Sequence, residues 1–558
     1  MRRFSAALLT ICSLSLFTST VWAYSGGTGE PNNPYQIATK ADLLALAANT
    51  ADYDKCFILT ADIDLQGQVF TKAIIATNGG PTFSGTFDGN GHKIANAVIN
   101  GGGDLGLFGD LGGSRASVKN LRLDNFTVNS SSTNDLYCTG CLVGWNSSGT
   151  ISNCSSTGSV SGTYAIGGLV GSSLSGSAIS NCYSTCSVNG SKYVGGLVGS
   201  GSGTISNCYS TGSVIGTSLG AGGLVGNAGG SIDDCYSTGS VSGVDKVGGL
   251  AGINSGNISN CHSISSVSGS QYVGGLVGEH NQGTITHCNS TGSASGSKCV
   301  GGFAGVNGSD INNCYSTGTV TGGGNSNALG GLVGSNPYNN ISNCYSTGPV
   351  TCGNSSIYIG GLVGWNWYAN ISNSYSTGAV TYGSSSSYLG GMVGGNFSGS
   401  ISRSYFRNTA GPNNGCGTPL TDAQMKQKSS FVTWDFNTLW HICQGTNYPK
   451  LIWQILPGDI TCPDGVNFLD LGELREQWLF ETIPADLAPP AGDGTVNFAD
   501  FAVFAGQWGV SKDIYDLKDF ADQWLKTGLR ECSADIDFSE TVDMRDFAVL
   551  ASHWLEGI

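Results

Sequence analysis

The run Asp535-Ile-Asp-Phe-Ser-Glu-Thr-Val-Asp-Met-Arg-Asp546 is spaced for metal chemistry. Asp535, Asp537, Ser539, Asp543 and Asp546 offer oxygens at positions 1, 3, 5, 9 and 12, and the Thr541 carbonyl offers one at 7. A hard cation such as Ca2+ takes about six to eight oxygens, and alternate residues of a tight loop converge on it. A second loop presents Asp493, Thr495, Asn497 and Asp500. Both loops read as Ca2+ sites. The competing reading makes the same acids helix N-caps on a solvated face. Glu540 stands where the sharp turn asks for glycine, and Pro489 where the second loop's first Asp belongs.

Acid–base chemistry has fewer candidates. His262, Glu279, His280 and His287 are the local concentration of ionisable groups in the central chain. Catalysis would need them to converge. His262 holds the place of a repeated Tyr and His287 that of a repeated Asn, so drift within a repeat accounts for both. Between Cys141 and Ser400 the chain carries only Lys192, Asp233, Asp234, Asp245, Lys246, Glu279, Lys298 and Asp310 as charges. That set cannot build the clustered carboxylates of a polysaccharide lyase or hydrolase. The chain has no His-Glu-x-x-His for a zinc protease.

The element that must position everything else is a repeat. Gly-Gly-Leu-Val-Gly begins at Gly167, Gly195, Gly222, Gly274, Gly330 and Gly360, with looser copies at Gly140, Gly248, Gly301 and Gly390 and a degenerate one at Leu105. Each is followed by a Gly/Ser/Asn turn and then Ile-Ser-Asn-Cys-Tyr-Ser-Thr-Gly-x-Val. A fixed period of this size predicts stacked turns sharing one core. Ile-Ser-Asn-Cys, x-Val-x-Gly and Val-Gly-Gly-Leu-Val read as extended segments. Glycine breaks every unit, so helices are excluded there. The fold class expected is an all-β parallel β-solenoid, right-handed by the crossover rule, with a small all-α calcium-loop module at the C-terminus.

In-register turns would align columns about 4.8 Å apart. Cys154, Cys182, Cys208, Cys235, Cys261, Cys288, Cys314 and Cys344 form one such column, continued by Ser374 and Ser404. Neighbouring Cα atoms would be within reach of disulfides, but parallel Cβ vectors would strain them. Free buried thiols are the favoured reading. Cys138 and Cys141 are the single Cys-x-x-Cys pair. Cys416 with Cys443, and Cys462 with Cys532, are expected staples. Asn153, Asn181, Asn207, Asn260, Asn313, Asn343 and Asn373 would make an amide ladder at a turn.

The remaining chain divides by composition. Residues 1–23 read as a signal peptide, with Arg2 and Arg3 before an apolar stretch and a cleavage site at Val21-Trp22-Ala23. Residues 24–104 read as an N-terminal cap with the first turns, 105–405 as the repeats and 406–455 as a C-terminal cap. In the first cap Thr39 and Asp42 signal a helix start. In the second, Thr421 and Gln424 cap a helix, and Trp434, Trp440, Tyr448 and Trp453 would close the end of the stack. Residues 456–558 are an acidic module: from Pro457 onward, 20 Asp+Glu against 6 Lys+Arg carry −14 of the chain's net −15. That balance argues against nucleic acid. No segment has about 20 uninterrupted apolar residues, so no membrane span is expected.

Two resemblances follow. The pentad array is similar to the GLUG-motif repeats of secreted and surface proteins, which implies a β-solenoid more firmly than a function, since such repeats occur in large adhesin-like proteins and beside protease domains. The 535–546 and 493–500 runs resemble dockerin-type EF-hand modules, which implies Ca2+ and a cohesin-like or cell-envelope protein partner. The expected function is a secreted or cell-surface, non-catalytic adhesion protein. Its neutral Ser/Thr/Asn face and aromatics such as Trp145, Trp365 and Trp367 would meet polysaccharide or a surface protein. The alternative is a carbohydrate-active β-helix enzyme carried by a dockerin.

Overall fold

A computed structural model describes residues 24–455. The signal-peptide reading, both Ca2+ loops and the Cys462–Cys532 pair lie outside the described residues. The chain forms two compact units. Among the described residues, the first holds 24–257 with 262–267, and the second holds 258–261 with 268–455.

Each unit is a parallel β-solenoid, as the repeat requires. In the first, Ile151 pairs with Ile179, Ile179 with Ile205 and Ile205 with Ile232, all parallel and in register. Val160, Val188, Val214 and Val241 make a second file. Val143, Val170, Val198 and Val225 make a third. In the second unit the files are Ile285–Ile311–Ile341–Ile371–Ile401 and Val333–Val363–Val393. Apart from Ile401 at the end of its file, these side chains are almost fully buried where they stack. Each Ile or Val so placed is worth about 1.5–3 kcal/mol of burial. No single turn could bury that face alone.

One turn shows how the sequence folds locally. Ala178–Ser180 is a strand, Asn181 turns the chain, Tyr183–Ser184 and Ser187–Gly195 follow, and Val198–Gly201 completes the circuit. Asn181 has φ 52°, a left-handed conformation that Asn tolerates better than most residues. The pentad differs from the expectation of one extended segment. The strand stops at Gly195, Gly196-Leu197 bend, and a new strand starts at Val198. A Cβ on Gly195 would sit 2.0 Å from the Val198 carbonyl oxygen, and one on Gly199 2.4 Å from the backbone of Ala165. Only glycine lets this corner close.

The N-terminal cap helix spans Lys40–Ala48, with Thr39 and Asp42 making a reciprocal capping box. Leu43 and Leu46 are fully buried. At the other end, Thr418–Leu420 pairs in parallel with Tyr405–Arg407, and Thr421 caps the helix Asp422–Met425. The residues that follow do more than close an end. They run along a lateral face of the second unit, over the tyrosine file Tyr315, Tyr345, Tyr375 and Tyr405. The Tyr375 hydroxyl donates to the Pro449 carbonyl at 2.6 Å, Gln454 Nε2 donates to the Tyr345 hydroxyl at 2.7 Å, and the Trp453 indole donates to the Asn313 carbonyl at 3.2 Å. The expected Cys416–Cys443 staple is not formed: Cys416 is a free thiol and Cys443 is disulfide-bonded.

Candidate functional site

The residues read as Ca2+ ligands, Asp535, Asp537, Ser539, Thr541, Asp543, Asp546, Asp493, Thr495, Asn497 and Asp500, lie outside the described residues. Among the described residues no group of three or more His, Cys, Asp or Glu is placed to hold a metal.

The acid–base candidates do not converge. His262 belongs to the first unit and stacks on Tyr236 at 5.0 Å, as the Tyr it replaces would. His280 is fully buried, in register with Asn307. Burial lowers its pKa to about 4. Glu279 accepts from Asn281 at the surface. His287 takes the left-handed Asn position, φ 53°, and its ring meets Trp453 edge-on. Four ionisable groups thus serve four local jobs.

The cysteine column is a hydrogen-bonded thiol ladder. Cys182 Sγ donates to the Ser180 carbonyl at 3.1 Å and accepts from the backbone N–H of Cys154 at 3.4 Å. Cys208 repeats both contacts one turn on. In the second unit Ser374 takes the same place: its Oγ donates to the Ser372 carbonyl at 2.8 Å and accepts from Cys344 N–H at 3.1 Å. A hydroxyl substituting for a thiol identifies the column's role as a small buried donor and acceptor. Burial pushes the Cys182 and Cys314 thiols well up. The Asn ladder forms in part: in the second unit Asn343 donates to Asn313 at 3.1 Å and Asn373 to Asn343 at 3.2 Å, whereas in the first unit Asn153 donates to Asn120 and the column from Asn153 through Asn181 to Asn207 shows no amide–amide bond. A second, buried amide ladder was not anticipated. Asn307 donates to Asn336, Asn336 to Asn366 and Asn366 to Asn396, at 2.7–2.8 Å.

The surface feature that structure alone explains least is aromatic. In the second unit Trp365 and Trp367, two residues apart on one strand, stack with centroids 5.8 Å apart and planes 14° apart. Tyr338 packs on Trp367 at 4.9 Å and lies parallel to Tyr368 at 6.1 Å. Tyr358 meets Trp365 at 6.0 Å and Tyr388 at 4.8 Å, and Phe397 closes edge-on against Tyr358 at 5.8 Å. Seven rings from consecutive turns form one platform. Tyr338, Tyr368 and Tyr388 are each more than half exposed. Gly395 is the register partner of Trp365. A Cβ there would lie 2.7 Å from Tyr358 and 3.0 Å from Phe397, so the missing side chain is the space those rings occupy.

Tyr338, Tyr358, Tyr368 and Tyr388 have φ between 52° and 71°. The corner that holds Tyr358 and Tyr388 is left-handed throughout the repeat, at Ala165, Tyr193, Lys246, Tyr272 and Cys299 among others, so the conformation belongs to the turn and the platform uses it to set its rings. The surrounding chain is also uncharged: residues 311–402 contain no Asp, Glu, Lys, Arg or His. Trp365 and Trp367 were visible in the sequence as exposed aromatics. Tyr338, Tyr358, Tyr368, Tyr388 and Phe397 were not, because their grouping depends on which columns adjoin across the corner. Trp145 belongs to the first unit, between Asp110 and Ser172 in register.

The fold and its repeat define the class: a parallel β-solenoid of repeated turns. Residues 135–161, 190–215, 217–242, 269–295, 296–321, 325–351 and 355–381 match the model of the GLUG motif. Halomucin of Haloquadratum walsbyi is 35% identical over 156 residues, which is 26% of this chain and 2% of halomucin. The chain thus spans a very small part of that relative. A solved chain from Bacteroides ovatus, provisionally assigned as an immunoglobulin A1 protease, is 19% identical over 77% of this chain and 96% of its own, with a TM-score of 0.33. A score of that size carries no argument. No helix among the described residues is long and apolar enough to cross a membrane.

Proposed function

We propose that this protein is an exported, surface-displayed binding protein without catalytic activity, and that its aromatic platform holds a neutral glycan chain. The observation that carries the reading is the cluster of seven rings around Trp365 and Trp367, in which Tyr338, Tyr368 and Tyr388 are more than half exposed. Flat rings stack on the C–H faces of sugars, and the Asn and Ser side chains around them supply hydrogen bonds. The uncharged stretch 311–402 favours a neutral polymer over an acidic one. The residues shared with halomucin, a mucin by name, support display outside the cell.

In this reading the acidic segment from residue 456 attaches the solenoid to a cohesin-like or cell-envelope protein, with Ca2+ held by the 493–500 and 535–546 loops. The full chain should then lose a thermal transition when EDTA removes calcium. The platform is tested by affinity electrophoresis against neutral glucans, xylans and galactomannans, with pectin as the acidic comparison. Retardation by a neutral glycan, weakened at least about tenfold in W367A with the thermal midpoint kept, is the expected result. Retention by pectin alone, or equal binding by W367A and Y368A, would overturn it. Capture of a protein ligand by an unaltered platform, with no glycan bound, would overturn it too.

A further inference from the structure

Two departures from the repeat meet in the core of the first unit. Cys141 stands where most pentads have their second glycine, and Cys186 where the Ser-Thr-Gly step has its glycine, as at Gly158, Gly212 and Gly239. Both side chains are fully buried. Their Sγ atoms lie 3.7 Å apart although 45 residues separate them in the chain. Neither column readily accepts a Cβ. One built on Gly239 would sit 1.9 Å from the Gly212 carbonyl oxygen, and one on Gly168 2.2 Å from the Gly196 carbonyl oxygen. Two exceptions to glycine, each awkward alone, point their thiols at one another.

The other thiols nearby are engaged elsewhere. The ladder cysteines hold backbone groups, as described above. Cys138, the other half of the Cys-x-x-Cys, faces Ser172, and its N–H donates to Asp104 Oδ1 at 2.7 Å. The hydrogen bond that Cys141 and Cys186 share raises the first thiol's pKa and lowers the second's, which leaves Cys186 the better thiolate.

We propose that Cys141 and Cys186 are joined by a disulfide in the exported protein, stapling the turn that ends at Asn146 to the turn that contains Tyr183. Bond formation brings the sulfurs from 3.7 Å to about 2.05 Å. The oxidant is itself a disulfide, either oxidised glutathione or a thiol–disulfide oxidoreductase. One of the two thiols, deprotonated while the chain is still folding, attacks it and releases one thiol. The other Sγ then attacks the mixed disulfide and releases the second. Two S–H bonds become one S–S bond, and the two electrons and two protons leave on the oxidant's thiols. Both sulfurs are closed off in the finished core, so the exchange occurs during folding.

The test uses the full chain, unfolded and reduced, then refolded in reduced glutathione alone or in a mixture of reduced and oxidised glutathione. Free thiols are alkylated under denaturing conditions and the protein is cut with trypsin. The peptide 123–192 contains five cysteines, Cys138, Cys141, Cys154, Cys182 and Cys186. After refolding in the mixture it should carry three labels and be two hydrogens lighter, with fragmentation placing the bond between Cys141 and Cys186. The thermal midpoint should rise relative to the reduced preparation, and C141G, which restores the repeat's own residue, should lose that difference. Five labels on the wild-type peptide, or a bond made instead by Cys138 or a ladder cysteine, would overturn the proposal whether or not C141G folds.

Discussion

The two units stack the same tyrosine of the repeat and treat it differently. In the first, Tyr183, Tyr209, Tyr236 and His262 pile face to face at 4.8–5.0 Å, with planes within 7°. All four are partly solvated. In the second, Tyr315, Tyr345 and Tyr375 stack at 4.9 Å in the same way. There Tyr345, Tyr375 and Tyr405 are buried beneath Trp434, Trp440 and Leu451. The stacking belongs to the repeat, because the backbone ladder holds equivalent residues at one spacing. The burial belongs to the covering segment, which has no repeat of its own. A periodic surface becomes core only where something aperiodic lies on it.

Five substitutions would break or sharpen that contrast. The largest effect should come from W440A. Trp440 is the largest fully buried side chain, and truncating it should cost about 3–5 kcal/mol, read as an earlier urea transition that leaves the first unit's tyrosine signal in place. A uniform loss across both tyrosine files would contradict the division drawn here.

Next is the contrast between two histidines that drifted into the repeat. His262 keeps contact with solvent, whereas His280 is buried with its pKa lowered to about 4 from 6.5. A His whose folded pKa lies below its unfolded one stabilises fully above pH 6.5, and that stability is lost as pH falls toward 4. H280N should remove about 2–3 kcal/mol of acid sensitivity in this window, seen as a flatter plot of thermal midpoint against pH. An unchanged slope would assign the acid sensitivity elsewhere.

Smaller still is the hydroxyl comparison. Y375F deletes the donor to the buried Pro449 carbonyl and should cost about 1–2 kcal/mol. Y209F, at the equivalent place in the uncovered file, should stay within about 0.5 kcal/mol. Equal costs would show that the covering segment contributes nothing through Tyr375. The smallest change should be C208S, below about 1 kcal/mol by the same denaturation assay, since Ser374 and Ser404 already fill that column.

Much of this was legible beforehand. The parallel stack, the Ile and Val files, the second unit's Asn ladder and the capping boxes at Thr39 and Thr421 all follow from spacing and side-chain type. The cysteines also stack in one column, as their spacing implies. The pentad was misjudged as one strand because its apolar residues run on in sequence, when its first and last glycines, such as Gly195 and Gly199, make a corner with no room for a Cβ. The aromatic platform was legible only through Trp365 and Trp367. Tyr358 and Tyr388 join it from a different column, and no linear spacing says which columns meet across a corner.

The amino-acid sequence by itself determined the period, and with it the neighbours of every repeat residue one turn above and below. Backbone hydrogen bonding between parallel strands admits one register once the Ile and Val files must face inward. Tertiary structure alone decided which tyrosines the 421–455 segment covers, which rings gather around Trp365, and that Cys141 faces Cys186 rather than Cys138. Those contacts join residues at unrelated phases of the repeat, or a repeat to a segment without one, so they depend on how the turn closes in cross-section and not on its period.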